Sequence, residues 1–365
     1  MIPLSIPNLN GNELKYVEEC IRTGWVSSAG AFVSRFEKDI ASFTNSDYGV
    51  ATVNGTAGLH LALHVLGIGK GDLVAVPNLT FIASANAIHY TGATPLLVDV
   101  DPDTWQMDLD LLESYLADGE EKEKIAAIMP VHILGSMCDM ERLMHIAKKY
   151  NLPVVEDATE ALGSSWNSKS SGSWGDLGVF SFNGNKIITT GGGGMIVTDN
   201  EGLAVQAKHL STQAKQDPEN YFHDEVGYNY RLVNVLAAIG VAQMEGIDSF
   251  IKRKKAIDAR YRRELGEIED IKFQLIPSNV DHNGWLFSFY SSKKDQIMQT
   301  LKESNIVCRP LWVPMNQLPM YSSSLYIQEY DRTANIHSNV LSIPCSTSLT
   351  EDEQSKVIEL IHSCY

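Results

Sequence analysis

Residues 72–100 read DLVAVPNLTFIASANAIHYTGATPLLVDV. Two apolar runs, DLVAVP (72–77) and TPLLVDV (94–100), flank the helix-like SANAIHYTG (84–92). Strand, short helix and second apolar strand make a βαβ unit, in which the strands are parallel and the crossover right-handed. The alternation extends outward. AGLHLALHVLG (57–67) precedes it, and IAAIMPV (125–131), DMERLMHIAKKYN (139–151), LPVVED (152–157), DLGVFSF (176–182) and GMIVTD (194–199) follow. The pattern predicts an α/β fold with a mostly parallel sheet covered on both faces, and such sheets hold ligands at the carboxyl ends of their strands.

After GYNYRLVN (227–234) the character changes. One long helix is expected over 234–265, broken near Gly246. Short strands (IKFQLI, WLFSFY), a helix near 294–304 and the proline-rich RPLWVPMNQLP follow. These features predict a large domain over 1–245 and a smaller α/β domain over 246–365, with about the first twenty residues packing on the smaller one.

Bulk properties exclude several classes. The net charge of −16, from 29 basic and 45 acidic residues, argues against a nucleic-acid surface, which needs clustered positive charge. No apolar run reaches eighteen residues, so no membrane span is expected. The first residues lack the basic start and apolar block of a secretory signal, which predicts a cytoplasmic protein. The five cysteines are scattered without a CxxC pair, so neither a zinc site nor a disulfide framework is expected.

Three segments carry candidate chemistry. In NGTAGLHLAL (54–63), Asn54-Gly55 signals a turn and Thr56 is a good N-cap. The helix that follows would offer free N–H groups and a positive dipole end to a phosphate, or it is a plain capped helix. In VVEDATEALG (154–163), Glu156 and Asp157 end an apolar strand, and Glu160 lies one turn on. A carboxylate there could hold a metal, act as a base or pair with a protonated ring nitrogen; a solvated strand end is the plainer alternative. No histidine or cysteine stands at ligand spacing around it, which disfavours a metal.

The third segment is SFNGNKIITTGGGG (181–194), with Lys186 on a loop just past a strand. A lysine amine attacks carbonyls when its pKa is lowered, although most lysines are surface residues. The glycines do not make a nucleotide-triphosphate loop, because the lysine precedes them, and they open a strand rather than a dinucleotide-binding helix. A phosphate-ready helix start, a strand-end aspartate, a flanking aromatic (Phe81) and a lysine loop together match pyridoxal 5′-phosphate. That cofactor needs a phosphate cradle, a carboxylate for its ring nitrogen, a stacking face and a Schiff-base lysine.

With these segments in place, the sequence resembles the DegT/DnrJ/EryC1 (StrS) sugar aminotransferases, which have the fold-type I architecture of aspartate aminotransferase. The resemblance covers GWVSS…VSRFE (24–37), NGTAGLHLAL, VPNLTFIASANAI (76–88), VDVDPDT (98–104), PVHILG (130–135), VEDATEALGS, SFNGNKIITTGGGGMIVT and GYNYRLVNVLAAIGVAQME (227–245). It implies that Lys186 forms the Schiff base, Asp157 pairs with the pyridine nitrogen, Glu160 lies near the ring oxygen and Phe81 stacks on the ring. Thr56, Ala57 and Ser181 would bind the phosphate, Gly55 and Asn183 would also contact the cofactor, and the glycine run would let the backbone pass close to it.

The resemblance also implies that Asn229 reaches the phosphate of a neighbouring subunit's cofactor, hence a homodimer with shared sites. Trp25, Ser27, Arg231, Arg309 and Trp312 are candidates for holding L-glutamate and a nucleotide-linked sugar; ordinary ion pairing and core packing are the alternative for each. Within the family the segments look most like the legionaminic-acid branch (LegC type), which aminates C4 of a UDP-linked 2-acetamido-4-keto-2,6-dideoxy sugar. The alternatives are a GDP-perosamine-type 4-aminotransferase, a dTDP-sugar 3-aminotransferase and a non-catalytic regulatory protein on the same scaffold. A sugar 3-dehydratase would carry histidine where Lys186 stands.

Overall fold

The computed structural model describes residues 1–217 and 219–365. Its main sheet sets Tyr48–Thr52, Gly194–Thr198, Leu177–Ser181 and Val155–Asp157 side by side. Parallel bridges Ile128–Val154 and Val131–Asp157 join that group to Ile125–Ile128. The sheet then continues through Leu73–Pro77 and Thr94–Val98 to Tyr326–Ile327. Among these strands only Gly194–Thr198 runs against its neighbours; the remaining pairings are parallel. The central Leu73–Pro77 is buried at every position, as a strand covered on both faces must be.

The helix Gly55–Val65 is apolar nearly all round and buries most of its length, the mark of a core helix rather than a surface one. Its close seat needs glycine at 58, where a Cβ would come within 2.8 Å of Val179 Cγ1. That seat fixes the start of the helix at the carboxyl ends of the strands.

The long helix expected over 234–265 is two helices, Asn234–Met244 and Ile247–Leu265, separated at Gly246. Beyond it, Lys272–Phe273, Phe287–Tyr290, Val340–Ile343 and Arg309–Pro310 form an antiparallel sheet. Tyr261, Phe289, Leu341 and Val357 fill a separate core beside that sheet. The chain past 245 is not confined there, because Tyr326–Ile327 add the edge strand to the main sheet beside Thr94–Val98.

The N-terminal twenty residues divide similarly. Ile2 exchanges main-chain hydrogen bonds with Asn305 and Val307, and Leu4 accepts one from Cys345. The helix Glu13–Thr23 instead packs on Asn234–Met244, where Glu13 accepts a 2.6 Å hydrogen bond from Gln243. Among the described residues no helix is long and apolar enough to cross a membrane.

Candidate active site

Strand alternation sends the two carboxylates of the 155–157 strand to opposite sides. Glu156 is wholly consumed by structure: it accepts from the N–H groups of Gly172, Trp174 and Gly175 at 2.9, 2.6 and 2.8 Å. The ring Nε2 of buried His132 lies 2.9 Å from the same carboxylate. Asp157 is 3% exposed. Ser84 Oγ donates to its Oδ2 at 2.7 Å and the Thr159 N–H to its Oδ1 at 3.2 Å. Ser84 belongs to the helix Ala83–Tyr90, the crossover of the opening βαβ unit.

Lys186 sits across from this carboxylate segment with its side chain 14% exposed, and its Nζ lies 3.9 Å from Glu160 Oε1. Glu160 is itself buried and accepts a 2.8 Å hydrogen bond from the Leu134 N–H. Leu134 adopts φ 59° to present that group. Burial drives the Lys186 amine below its ordinary range, against the pull of Glu160 and Asp157 toward the charged form. The same burial raises the Glu160 carboxyl, outweighing the stabilisation its anion gains from Lys186 and the Leu134 N–H. The site therefore contains an amine and a carboxyl moved toward each other in proton affinity, as acid–base sites require.

At the start of the helix Gly55–Val65 the cap differs from expectation. Asn54, not Thr56, is the N-cap: it is extended (φ −166°, ψ 170°) and its side chain accepts from the Ala57 N–H at 2.8 Å. The Asn54 carbonyl already takes the Gly58 N–H, so the first helical turn starts at Gly55. Thr56 is left free of the capping role. A Cβ on Gly55 would lie 3.0 Å from Ser181 Cβ, so the helix start and the end of the 177–181 strand are in direct contact. Asn183 is exposed, and its carbonyl accepts the Lys186 N–H at 3.0 Å.

The glycine run divides into two functions. Gly193 and Gly194 are demanded by the protein's own packing: a Cβ on Gly194 would lie 2.6 Å from the Asn54 backbone, and one on Gly193 would lie 2.3 Å from Thr190 Oγ1. Gly191 has φ +80°, and around it and Gly192 a Cβ would meet nothing within 4 Å.

Phe81 is half exposed and makes an edge contact with Trp312, ring centroids 6.3 Å apart. Trp312 lies near-parallel to Trp285 at 6.4 Å, and Lys186 Nζ stands 4.0 Å above the Trp285 ring. Phe81, Trp312, Trp285 and Lys186 thus form one continuous series. Ser84 and Trp285 are not legible as site residues in the sequence. Ser84 is one of many small residues on a helix, and Trp285 lies in a run that reads as an ordinary apolar strand.

Other candidates are placed elsewhere. Arg231 is buried in an ion pair with Glu37, whose Oε1 also accepts the Ala51 N–H. Its charge is spent on that acid, which corrects its expected role toward an anionic substrate. Arg309 is exposed and holds its neighbour Cys308 carbonyl at 3.1 Å. Trp25 and Ser27 lie on an exposed segment tied to Asn234 through their carbonyls. Asn229 is exposed and bridges Thr212 through its main chain. Among the described residues His209, Asp224 and Glu225 bring ligand-type atoms within 4.8 Å of one another. They lie on the surface, and His209 is hydrogen-bonded to Asp224 at 2.7 Å.

Residues 7–362 match the DegT/DnrJ/EryC1/StrS aminotransferase family. GDP-perosamine synthase of Escherichia coli O157:H7 is 39% identical over 100% of this chain and 98% of its own length. GDP-perosamine synthase of Caulobacter vibrioides is 39% identical over 98% and 96%. The crystal structure of DesV from S. venezuelae, in complex with a ketimine intermediate, superposes with a TM-score of 0.90 at 28% identity, covering 97% of this chain and 94% of that one.

The chain belongs to the DegT/DnrJ/EryC1/StrS aminotransferase family. It is a sugar aminotransferase dependent on pyridoxal phosphate. A buried amine, a strand-end carboxylate and a helix start against Ser181 are the donor set that cofactor needs. The relatives do not point specifically to the legionaminic-acid branch, nor do they support its UDP-linked substrate; their names favour the GDP-perosamine alternative.

Proposed function

We infer that the protein transfers an amino group from L-glutamate to the C4 ketone of a GDP-linked 4-keto-6-deoxyhexose, giving a perosamine-type 4-amino sugar. The observation that carries the nucleotide and the C4 position is the full-length similarity, at 39% identity, to two GDP-perosamine synthases. Lys186 would hold the cofactor and Asp157 its ring nitrogen, with Glu160 near the ring oxygen and Phe81 on the ring face. Gly55, Thr56, Ala57 and Ser181 would surround the phosphate, with Asn183 nearby. When bound, pyridoxal phosphate supplies a carbonyl for the lysine and an electron-poor ring that stabilises negative charge at the reacting carbon.

The protein's own groups do the rest. Burial lowers the Lys186 amine below its ordinary range and so favours its neutral form, the form in which Nζ can take a proton from the donor carbon and return it. Asp157, already fixed by Ser84 and Thr159, has little freedom to turn away from a protonated ring nitrogen. The Leu134 N–H holds Glu160 beside the amine. Trp312 would form part of the sugar side, and we place Trp25, Ser27 and Arg309 at its rim.

Asn229 would reach a second copy's cofactor phosphate, making the protein a homodimer; its exposed position supports this. We keep the division near residue 245 for the two domains, with the 326–327 strand crossing back. The test is turnover with [15N]glutamate and a panel of GDP-, UDP- and dTDP-linked 4-keto-6-deoxy sugars, read by mass spectrometry and NMR. 15N at C4 of the GDP sugar is expected. Label at C3, or turnover of the UDP or dTDP sugars alone, would overturn the assignment.

A further inference from the structure

The tripeptide Asn283-Gly284-Trp285 holds together two segments that meet only in the folded protein. Asn283 is fully buried. Its side-chain amide donates to the carbonyls of Glu160 and Leu162 at 2.8 and 3.0 Å, and its main-chain N–H donates to Ser164 Oγ at 3.0 Å. Its side-chain oxygen accepts the Trp285 N–H at 2.8 Å. Gly284, at φ +67°, makes the reversal between them.

Trp285 is 2% exposed and held from several sides. Its indole N–H donates to the Asn185 carbonyl at 2.7 Å, one residue before the lysine. Its own carbonyl accepts the Lys254 ammonium at 2.9 Å. Trp312 lies near-parallel to it, the planes inclined by 14°. Lys186 Nζ then has two partners, the Trp285 ring at 4.0 Å and Glu160 Oε1 at 3.9 Å.

We propose that Trp285 is a positioning residue for Lys186, its ring face holding the amine opposite Glu160 and its indole N–H holding the loop that carries it. An indole is the best aromatic partner for an ammonium, and the attraction grows where water is excluded. The ring offers that attraction without adding a further carboxylate to Glu160 and Asp157, which would favour the charged amine still more. Because Asn283 grips the turn bearing Glu160, the same tripeptide sets the distance between the amine and its acid. The titratable groups facing Lys186 are Glu160 and Asp157 from the 155–160 segment. From the helix Ile247–Leu265, Lys254 reaches the Trp285 carbonyl. The importance of this arrangement for turnover rests on the proposed function; the placement of the amine does not.

The test uses the full chain freed of cofactor, with the pH dependence of Lys186 acetylation read by mass spectrometry. Fluorinated tryptophans weaken the ring's negative face at nearly constant volume, so a merely structural tryptophan leaves the labelling midpoint unmoved. The proposal predicts a midpoint that falls stepwise from tryptophan to monofluoro- to tetrafluorotryptophan, by about half a pH unit or more in total. In Trp285→Phe, grown with the same analogues, the midpoint should no longer respond. A midpoint unmoved by fluorination in the natural sequence, or one moving equally in Trp285→Phe, would overturn the proposal. Since no cofactor or substrate is present, failure of the amino-transfer assignment would appear separately, as absent turnover.

Discussion

Ser84 donates a 2.7 Å hydrogen bond to Asp157, joining the crossover helix of the first βαβ unit to the carboxylate at the end of the 155–157 strand. Both residues are almost fully buried. The aspartate is therefore held in one orientation before any ligand arrives, and preorganisation of this kind lowers the cost of a charged contact.

Asp157→Asn should keep the fold and bind the cofactor, yet lose about a hundredfold or more in kcat, because a neutral amide cannot hold a ring nitrogen protonated. Ser84→Ala should cost far less, about 1 kcal/mol or roughly fivefold in rate. Steady-state kinetics on the two variants separates the roles. An asparagine variant with unchanged kcat would remove Asp157 from the chemistry.

Glu160 makes stability depend on pH. Its carboxyl is pushed up to about 7 in the folded protein from an ordinary 4.5, chiefly by burial. A group raised on folding contributes stability that is full below its unfolded value and lost as pH rises through its folded one. Relative to Glu160→Gln, the cofactor-free natural protein should thus lose stability between about pH 4.5 and 7. Urea unfolding at pH 5 and pH 8 measures this. An equal difference between the two proteins at both pH values would contradict the shift.

Arg231 and Glu37 form a buried pair whose removal should act on the fold. Arg231→Met leaves the buried Glu37 carboxylate with only the exposed Lys208 ammonium, 3.9 Å away, as a cation, a loss of up to about 3–5 kcal/mol where such pairs are broken. A drop in Tm with KM for both substrates unchanged in the folded fraction is expected. A raised KM at unchanged Tm would return Arg231 to the substrate.

Much of this architecture is readable from periodicity. The apolar runs at 73–77, 94–98, 177–181 and 194–198 are strands of a covered sheet, each only five residues long, whereas the eleven-residue apolar run 55–65 is a buried helix. Asp157 and Lys186 stand out as candidates in the sequence because strand ends and the loops after them are where this sheet type presents ligands.

What stayed hidden depends on long-range contact. Trp285 meets Lys186 only once the two parts of the chain pack together, and periodicity within WLFSFY says nothing about that partner. Thr56 looked like the cap because threonine caps helices well, yet Asn54 caps equally well and stands where the extended backbone ends. Arg231 was indistinguishable in sequence from a substrate-binding arginine, since its acid Glu37 lies on the distant helix Ala31–Thr44.

The most direct measurement is the visible absorbance of the cofactor-loaded protein through one full cycle, with Lys186→Ala alongside. The account predicts a band that bleaches on addition of L-glutamate and returns on addition of a GDP-linked 4-keto-6-deoxy sugar, in the natural protein alone. A band indifferent to glutamate, or the same cycle in Lys186→Ala, would contradict it.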